Sequence, residues 1–168
     1  MSTAVCPGSF DPITLGHVDV VRRARSMFDE VVVAVAHNAS KQSLLAPEER
    51  VRLAADALAG LEGVRVVSTD GLLVDLVRDV GARAVVKGLR SGADLDAELA
   101  MALMNRHLSG VETVFVLGDP ARAHIASSLV KDVARHGGPI DDMVTPEVAA
   151  AVRQALRPSP GVGGGDGR

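Results

Sequence analysis

Glu30-Val31-Val32-Val33-Ala34-Val35-Ala36 sets six consecutive apolar residues behind one acid. A run without polar alternation reads as a strand buried on both faces, which a parallel sheet with helices on either side provides. The rest of the chain agrees with that frame. Ala4-Val5-Cys6 is a short apolar strand, and Leu15, Val18, Val21, Ala24 and Phe28 then recur at helical spacing with Arg22, Arg23 and Arg25 on the other side. With the run at 30–36 these make a βαβ unit. Ala46-Pro47-Glu48-Glu49-Arg50 opens a second helix with proline and acids in its first turn. A third strand at 64–67, a short helix at 72–80 and a fourth strand at 84–87 follow. The polar loop Gly88-Leu89-Arg90-Ser91-Gly92 then leads to a longer helix at 94–108. A fifth strand at 112–117 and helices at 127–136 and 146–156 complete the pattern. The alternation predicts an α/β, Rossmann-like, doubly wound five-stranded parallel sheet with flanking helices, one domain over residues 1–157. Residues 158–168, rich in Gly and Pro, read as a disordered tail.

Composition narrows the partners. The core has only three Phe and no Trp or Tyr to draw on, so it must be Val, Leu and Ala. A net charge of −3 gives no electrostatic case for duplex nucleic acid or an anionic membrane, so an anionic ligand must be met by local cations. The single cysteine, Cys6, excludes an internal disulfide and a cysteine metal cluster, and fits a reducing cytoplasm. It reads as core, since nothing beside it would activate a thiol. No stretch resembles a signal peptide or a spanning helix.

Chemistry concentrates in residues 6–17, Cys6-Pro7-Gly8-Ser9-Phe10-Asp11-Pro12-Ile13-Thr14-Leu15-Gly16-His17. A strand that breaks into a Gly-rich turn and then a helix aims backbone N–H groups and a helix dipole at one spot, a seat for phosphate. In a doubly wound sheet the loops after strands one, two, four and five share an edge. They carry Ser9, Phe10 and His17; Lys41; Lys87 and Arg90; and Arg122, His124, Ser127 and Ser128. So many cations and small hydroxyls on an acidic protein suit a polyphosphate.

Each of these residues also has an ordinary reading. His17 by position alone is a histidine in a helix's first turn, and Lys41 alone is a solvated loop charge. Arg90 is either solvated or wrapped around an anion. Lys87 ends a buried strand, where a cation needs a partner. Ser127-Ser128 before an apolar helix is ordinary N-capping, compatible with a phosphate seat. Glu98, Met101 and Asn105 share one helix face, which is either exposed or lines a cleft. With no P-loop lysine signature, no metal-ligand cluster and no Ser-His-Asp order, the protein must supply position and charge while a substrate supplies the nucleophile.

The segment Gly8-Ser9-Phe10-Asp11-Pro12-Ile13-Thr14-Leu15-Gly16-His17 resembles the GSFDPxTxGH opening of the bacterial phosphopantetheine adenylyltransferases. Within it, Thr14-Leu15-Gly16-His17 is similar to the T/HxGH signature of the wider nucleotidyltransferase superfamily. Val86-Lys87-Gly88-Leu89-Arg90 resembles that family's VKGLR segment. Glu98-Leu99 with Met101-Ala102-Leu103-Met104-Asn105 resembles its ELxMAxMN helix, and Ile125-Ala126-Ser127-Ser128-Leu129-Val130-Lys131 its ISSSLVK stretch. The likeness runs from residue 4 to 156, in the family's order and spacing. It implies transfer of an adenylyl group from ATP to 4′-phosphopantetheine, giving dephospho-coenzyme A and pyrophosphate in coenzyme A biosynthesis, with Mg²⁺, in a cytoplasmic homohexamer.

By the same resemblance His17 stabilises the transition state. Ser9, Phe10, His17, Gly88, Leu89, Arg90, Glu98, Arg122, Ala123, His124, Ile125, Ala126, Ser127 and Ser128 meet ATP, while Ser9, Lys41, Leu73 and Lys87 meet the second substrate; no residue is implied as a metal ligand. Met101, Met104 and Asn105 are expected to wall the pantetheine arm. The chain departs from the family's YSFxSSS pattern at Arg122-Ala123-His124-Ile125-Ala126-Ser127-Ser128, so adenine-side hydrogen bonds there must come from backbone. Two alternatives stand beside this expectation. One is another adenylyl- or cytidylyltransferase of the superfamily, such as one acting on nicotinamide mononucleotide. The other is a nucleotide-binding protein without turnover.

Overall fold

The structure is a computed structural model describing residues 1–37 and 42–157; the expected tail at 158–168 lies outside the described residues. Strands and helices alternate as β1 (Thr3–Gly8), α1 (Leu15–Met27), β2 (Glu30–Ala36), α2 (Pro47–Leu58), β3 (Val64–Thr69), α3 (Leu73–Asp79), β4 (Ala84–Leu89), α4 (Gly92–Ser109), β5 (Glu112–Leu117), α5 (Ser127–Arg135) and α6 (Pro146–Ala155), with a 3-10 turn at Pro120–Arg122. All strand pairs are parallel, in the order β3-β2-β1-β4-β5. The doubly wound architecture is as expected. Strand β4 runs two residues beyond its expected end, because Gly88 and Leu89 stay paired with Val116 and Leu117.

The apolar run explains the core. Val31, Val33 and Val35 face a large cluster with Ala4, Cys6 and Val86, closed by Val18, Val21 and Ala24 of α1, Leu53 and Ala54 of α2, Val130 of α5 and Val148 and Val152 of α6. Val32 and Ala34 face the other way, toward Val5, Val85 and the α3 residues Val74 and Val77. Both faces of the strand are dry, as a continuous apolar run requires. The second face is thinly covered: Asn105 is the one buried residue of the 18-residue helix α4.

Strand order places the switch point between β1 and β4, the outward walk going through β2 and β3 on one side and β5 on the other. Register sharpens this. β1 pairs with β2 over six residues and β4 with β5 over six, but β1 and β4 pair only at Ala4–Ala84 and Val5–Val85. Beyond Val5 and Val85 the two strands part, and Pro7, which has no N–H to donate, lies just past that point. The sheet opens there into a crevice.

Candidate active site

A cavity of about 620 Å³ fills the crevice. Cys6, Pro7 and Gly8 wall it from β1, and Lys87, Gly88 and Leu89 from β4. Ser9, Phe10, Thr14, Gly16 and His17 come from the first loop and α1, and Ile125, Ala126, Ser127 and Ser128 from the start of α5. Two glycines make this crowding possible. A Cβ on Gly8 would lie 3.0 Å from the Phe10 ring, and one on Gly88 would run into Val20 of α1. Phe10 is buried with φ at 48°, in the left-handed region a bulky residue seldom enters. Its ring meets His17 edge-on, with centroids 5.0 Å apart.

His17 is fixed by its own helix. Thr14 is the N-cap of α1, and its hydroxyl accepts the His17 N–H at 3.3 Å while the His17 side chain caps the Thr14 backbone, closing a capping box. The Thr14 N–H donates to Nδ1 of His17 at 3.0 Å. A backbone N–H can only donate, so Nδ1 is unprotonated and the ring proton sits on Nε2. Burial, then the positive charges of Arg90 and Lys87, drive the His17 pKa down to about 4. The imidazole is therefore neutral at pH 7, a hydrogen-bond donor through Nε2 that carries no charge of its own.

The first turn of α5 is arranged differently. Serine capping is expected there, yet the N-cap is Ala126 and no side chain caps the helix. The helix starts at Ser127, and the Ser127 hydroxyl donates to the Pro12 carbonyl at 2.8 Å. The opening N–H groups of α5 are left without a side-chain cap beside the cavity.

The cations are held in place by acids. Lys87 finds its partner in Glu98 of α4 at 3.1 Å. Arg90 is gripped by Asp94 at 3.2 Å and donates to the Ile125 carbonyl at 3.0 Å. The Asp94 carboxyl is held below its usual range because hydrogen bonds from the Arg90 side chain and N–H outweigh its burial. Arg122, from the 3-10 turn, donates to the Leu15 carbonyl at 3.2 Å and faces the same cavity. Cys6 is buried and its thiol is pushed up to about 12, as a core residue's would be.

Of the expected nucleotide-side residues, Ser9, Phe10, His17, Gly88, Leu89, Arg90, Glu98, Arg122, Ile125, Ala126, Ser127 and Ser128 line this one cavity. Ala123 and His124 do not: the 3-10 turn at Pro120–Arg122 carries both past the rim, where they are exposed. Leu73 lies in a small adjoining pocket of about 30 Å³ with Met101 and Asn105, and Lys87 and Glu98 belong to both spaces. The Glu98 face of α4 thus lines a cleft. Met104 is exposed and stands outside both spaces. Lys41 lies outside the described residues.

Two anchors escape a reading by motif. The buried Asp11 carboxylate accepts from the N–H groups of Leu44 and Leu45, both at 2.9 Å, and from Lys131 at 2.8 Å. Burial alone would raise its pKa, but the Lys131 bond and the two amides overcome that and hold it low. It ties the first loop to α5 and to the segment before α2. Asp19 of α1, also buried, accepts the Asp119 N–H at 3.0 Å and pairs with Arg23 at 2.9 Å, fixing the rim after β5.

Comparison with known proteins places this geometry. Residues 5–133 match the family model described as cytidylyltransferase-like. A phosphopantetheine adenylyltransferase from a Nocardioides species is 50% identical, covering 93% of this chain and 98% of the relative. The same enzyme from Bifidobacterium longum is 51% identical, over 93% and 95%. Among solved structures, a Vibrio parahaemolyticus protein assigned as a nicotinate-nucleotide adenylyltransferase shares the fold at a TM-score of 0.66. It covers 93% of this chain and 95% of its own at 18% identity.

Proposed function

The chain belongs to the cytidylyltransferase-like family and stands among its phosphopantetheine adenylyltransferases, and from that premise we propose how its own residues work. It transfers the adenylyl group of ATP to 4′-phosphopantetheine, giving dephospho-coenzyme A and pyrophosphate. A phosphate oxygen of 4′-phosphopantetheine forms a bond to the α-phosphorus of ATP as the bond to the pyrophosphate oxygen breaks. No protein nucleophile is needed, and the buried, high-pKa Cys6 offers none.

The observation that carries the reading is the fixed tautomer of His17. With Nδ1 occupied by the Thr14 N–H, Nε2–H donates to a non-bridging oxygen of the α-phosphate, where charge grows in the transition state. Being neutral, the ring stabilises by a placed hydrogen bond and moves no proton. Lys87 and Arg90 neutralise the phosphates, each freed by exchanging its acid partner for substrate. The N–H groups at the start of α5 and the backbone of Ser9 and Gly88 seat the triphosphate. Lys41 joins Lys87 on the attacking phosphate, and the pantetheine arm crosses Leu73, Met101 and Asn105. Arg122 replaces an aromatic base contact, and Ala123 and His124 act only through their backbone.

Mg²⁺ fits as a companion of the nucleotide. Among the described residues no group of three His, Cys, Asp or Glu could cage a metal. The acids at the cavity are Asp94 and Glu98, which Arg90 and Lys87 release on binding phosphate, and Asp119, whose Oδ1 accepts the Ala121 N–H at 2.9 Å; these are the carboxylates that would hold it. Bound there with the phosphates, Mg²⁺ would neutralise charge on the leaving pyrophosphate. Assembly as a homohexamer draws support from α4, whose Leu95, Leu99 and Leu103 form one exposed apolar row and Met101, Met104 and Leu108 another. A cytoplasmic setting is consistent with the free Cys6, and among the described residues no helix is long and apolar enough to cross a membrane.

The test is pyrophosphate release from ATP with Mg²⁺, comparing 4′-phosphopantetheine with nicotinamide mononucleotide as acceptor. Release with the first alone is expected; release only with the second, or with neither, overturns the reading.

A further inference from the structure

Among the described residues Arg50 is the largest fully buried side chain, 1% exposed. A long cation at such depth normally sits against a carboxylate. Here it sits against carbonyls: one terminal nitrogen donates to the Ser9 carbonyl at 2.7 Å and to the Ala36 carbonyl at 2.9 Å. Its Nε is buried without an acceptor. The acids nearby are committed elsewhere. Asp11 is taken by Lys131 and two amides, and Glu49, on the same helix, pairs with Arg52 at 2.7 Å on the surface. Among the described residues Arg50 makes no ion pair.

We propose that Arg50 is a positioning residue and buried counter-charge for the anionic ligand, its neutralising partner being the phosphate groups that occupy the cavity in front of Ser9. Ser9 lines the cavity and Arg50 does not, so Arg50 acts from behind the wall. It does two things there. It draws the Ser9 carbonyl backward, away from incoming phosphate oxygens, so the loop presents N–H and hydroxyl donors instead. And its charge, undiluted by any carboxylate, adds a positive potential in a region shielded from water, where a charge acts over a longer distance. Among the described residues this buried cation meets only carbonyls, and a bound phosphate would supply its counter-charge.

The inference rests on the cavity's being the polyphosphate seat, and the experiment separates the two. Binding of inorganic pyrophosphate and of neutral adenosine is measured calorimetrically on the full chain for wild type, Arg50→Lys and Arg50→Gln. Lysine keeps the charge and the ability to donate; glutamine keeps a donor without charge. The expected result is pyrophosphate affinity within about threefold of wild type for Arg50→Lys and roughly tenfold or more weaker for Arg50→Gln, with adenosine affinity nearly unchanged in both. If Arg50→Gln does not fold, Arg50→Lys carries the test, and a tenfold loss of pyrophosphate affinity in it overturns the proposal. Equal losses for pyrophosphate and adenosine overturn it too, since they mark a general packing defect. Wild type that binds adenosine but not pyrophosphate removes the phosphate-seat reading itself, and the inference with it.

Discussion

Two helix starts meet at the cavity, and they solve the same problem in opposite ways. Both α1 and α5 arrive with opening N–H groups that need partners. Helix α1 satisfies its own end with the Thr14–His17 box, which spends Nδ1 of His17 on the backbone and leaves Nε2–H for substrate. Helix α5 declines the cap: Ala126 has no side-chain oxygen, and the Ser127 hydroxyl turns away to the Pro12 carbonyl. Its amides are left for the ligand. A closed end fixes one side-chain donor at one angle, which suits charge that grows in a transition state. An open end offers several diffuse donors, which suits the standing charge of a bound phosphate.

The contrast predicts that damage at α1 appears in turnover and damage at α5 in affinity. The largest effect is expected for His17→Ala, which should lower kcat on the order of 10²–10³-fold with ATP affinity nearly intact, as read by steady-state kinetics beside direct titration. Collapse of ATP binding with normal turnover at saturation would make His17 a ground-state contact and erase the distinction.

Next in size is a pH effect on stability. The folded His17 resists protonation until about pH 4, whereas the unfolded residue takes its proton near pH 6.5. The unfolded state thus binds more protons between those values, and stability must fall as pH drops through that window, by up to about 3 kcal/mol. Below about pH 4 both states are protonated and the loss stops. Denaturant titrations of wild type and His17→Gln across pH 4–7 should show a steeper slope in wild type; near pH 4 both also lose stability as Asp11 and Asp94, held below their usual range, begin to protonate in the unfolded chain.

Giving α5 the cap it lacks is a subtler test. Ala126→Asp supplies a side-chain acceptor, so it should raise stability by about 1 kcal/mol and weaken pyrophosphate binding roughly tenfold, since its carboxylate competes for the same amides. Tighter pyrophosphate binding in this variant would show that the open end is not the seat. The smallest change is expected for Ser127→Ala, which loses only the bond to Pro12 and about 1 kcal/mol of stability, seen in the unfolding midpoint with kcat unchanged.

Local pattern carries much of this architecture. The run at 30–36 announces a parallel sheet because only a strand buried on both faces tolerates it, and the turns rich in Gly, Pro and Asp mark where its edge must lie. Lys87 demands a partner by position, and Glu98 is that partner. Pairing is another matter. That β1 and β4 part after Val5 and Val85 depends on register between segments some eighty residues apart, which no local pattern encodes. The burial of Arg50 and the partners of Asp11 hide for a related reason: Arg50 follows two acids in a stretch that reads as surface, nothing local names what Asp11 binds, and only the packing of α2 and α5 around the first loop buries both. The capping of α5 is misread at Ser127 because the helix begins there instead of one residue later. Ala123 and His124 stand outside the cavity lining because a 3-10 turn, set by Asp119 and Pro120, leaves both exposed.

The central claim is that the two nitrogens of His17 do separate jobs, Nδ1 holding the helix start and Nε2–H serving the reaction. His17→Gln separates them, because a glutamine at the third helical position can complete a capping box but cannot reproduce the imidazole donor. Measured together on this variant, the unfolding midpoint should lie close to wild type and the ATP dissociation constant within about threefold. Turnover should be lower by on the order of 10²-fold or more. Turnover within tenfold of wild type would contradict the account, since the donor would then be dispensable.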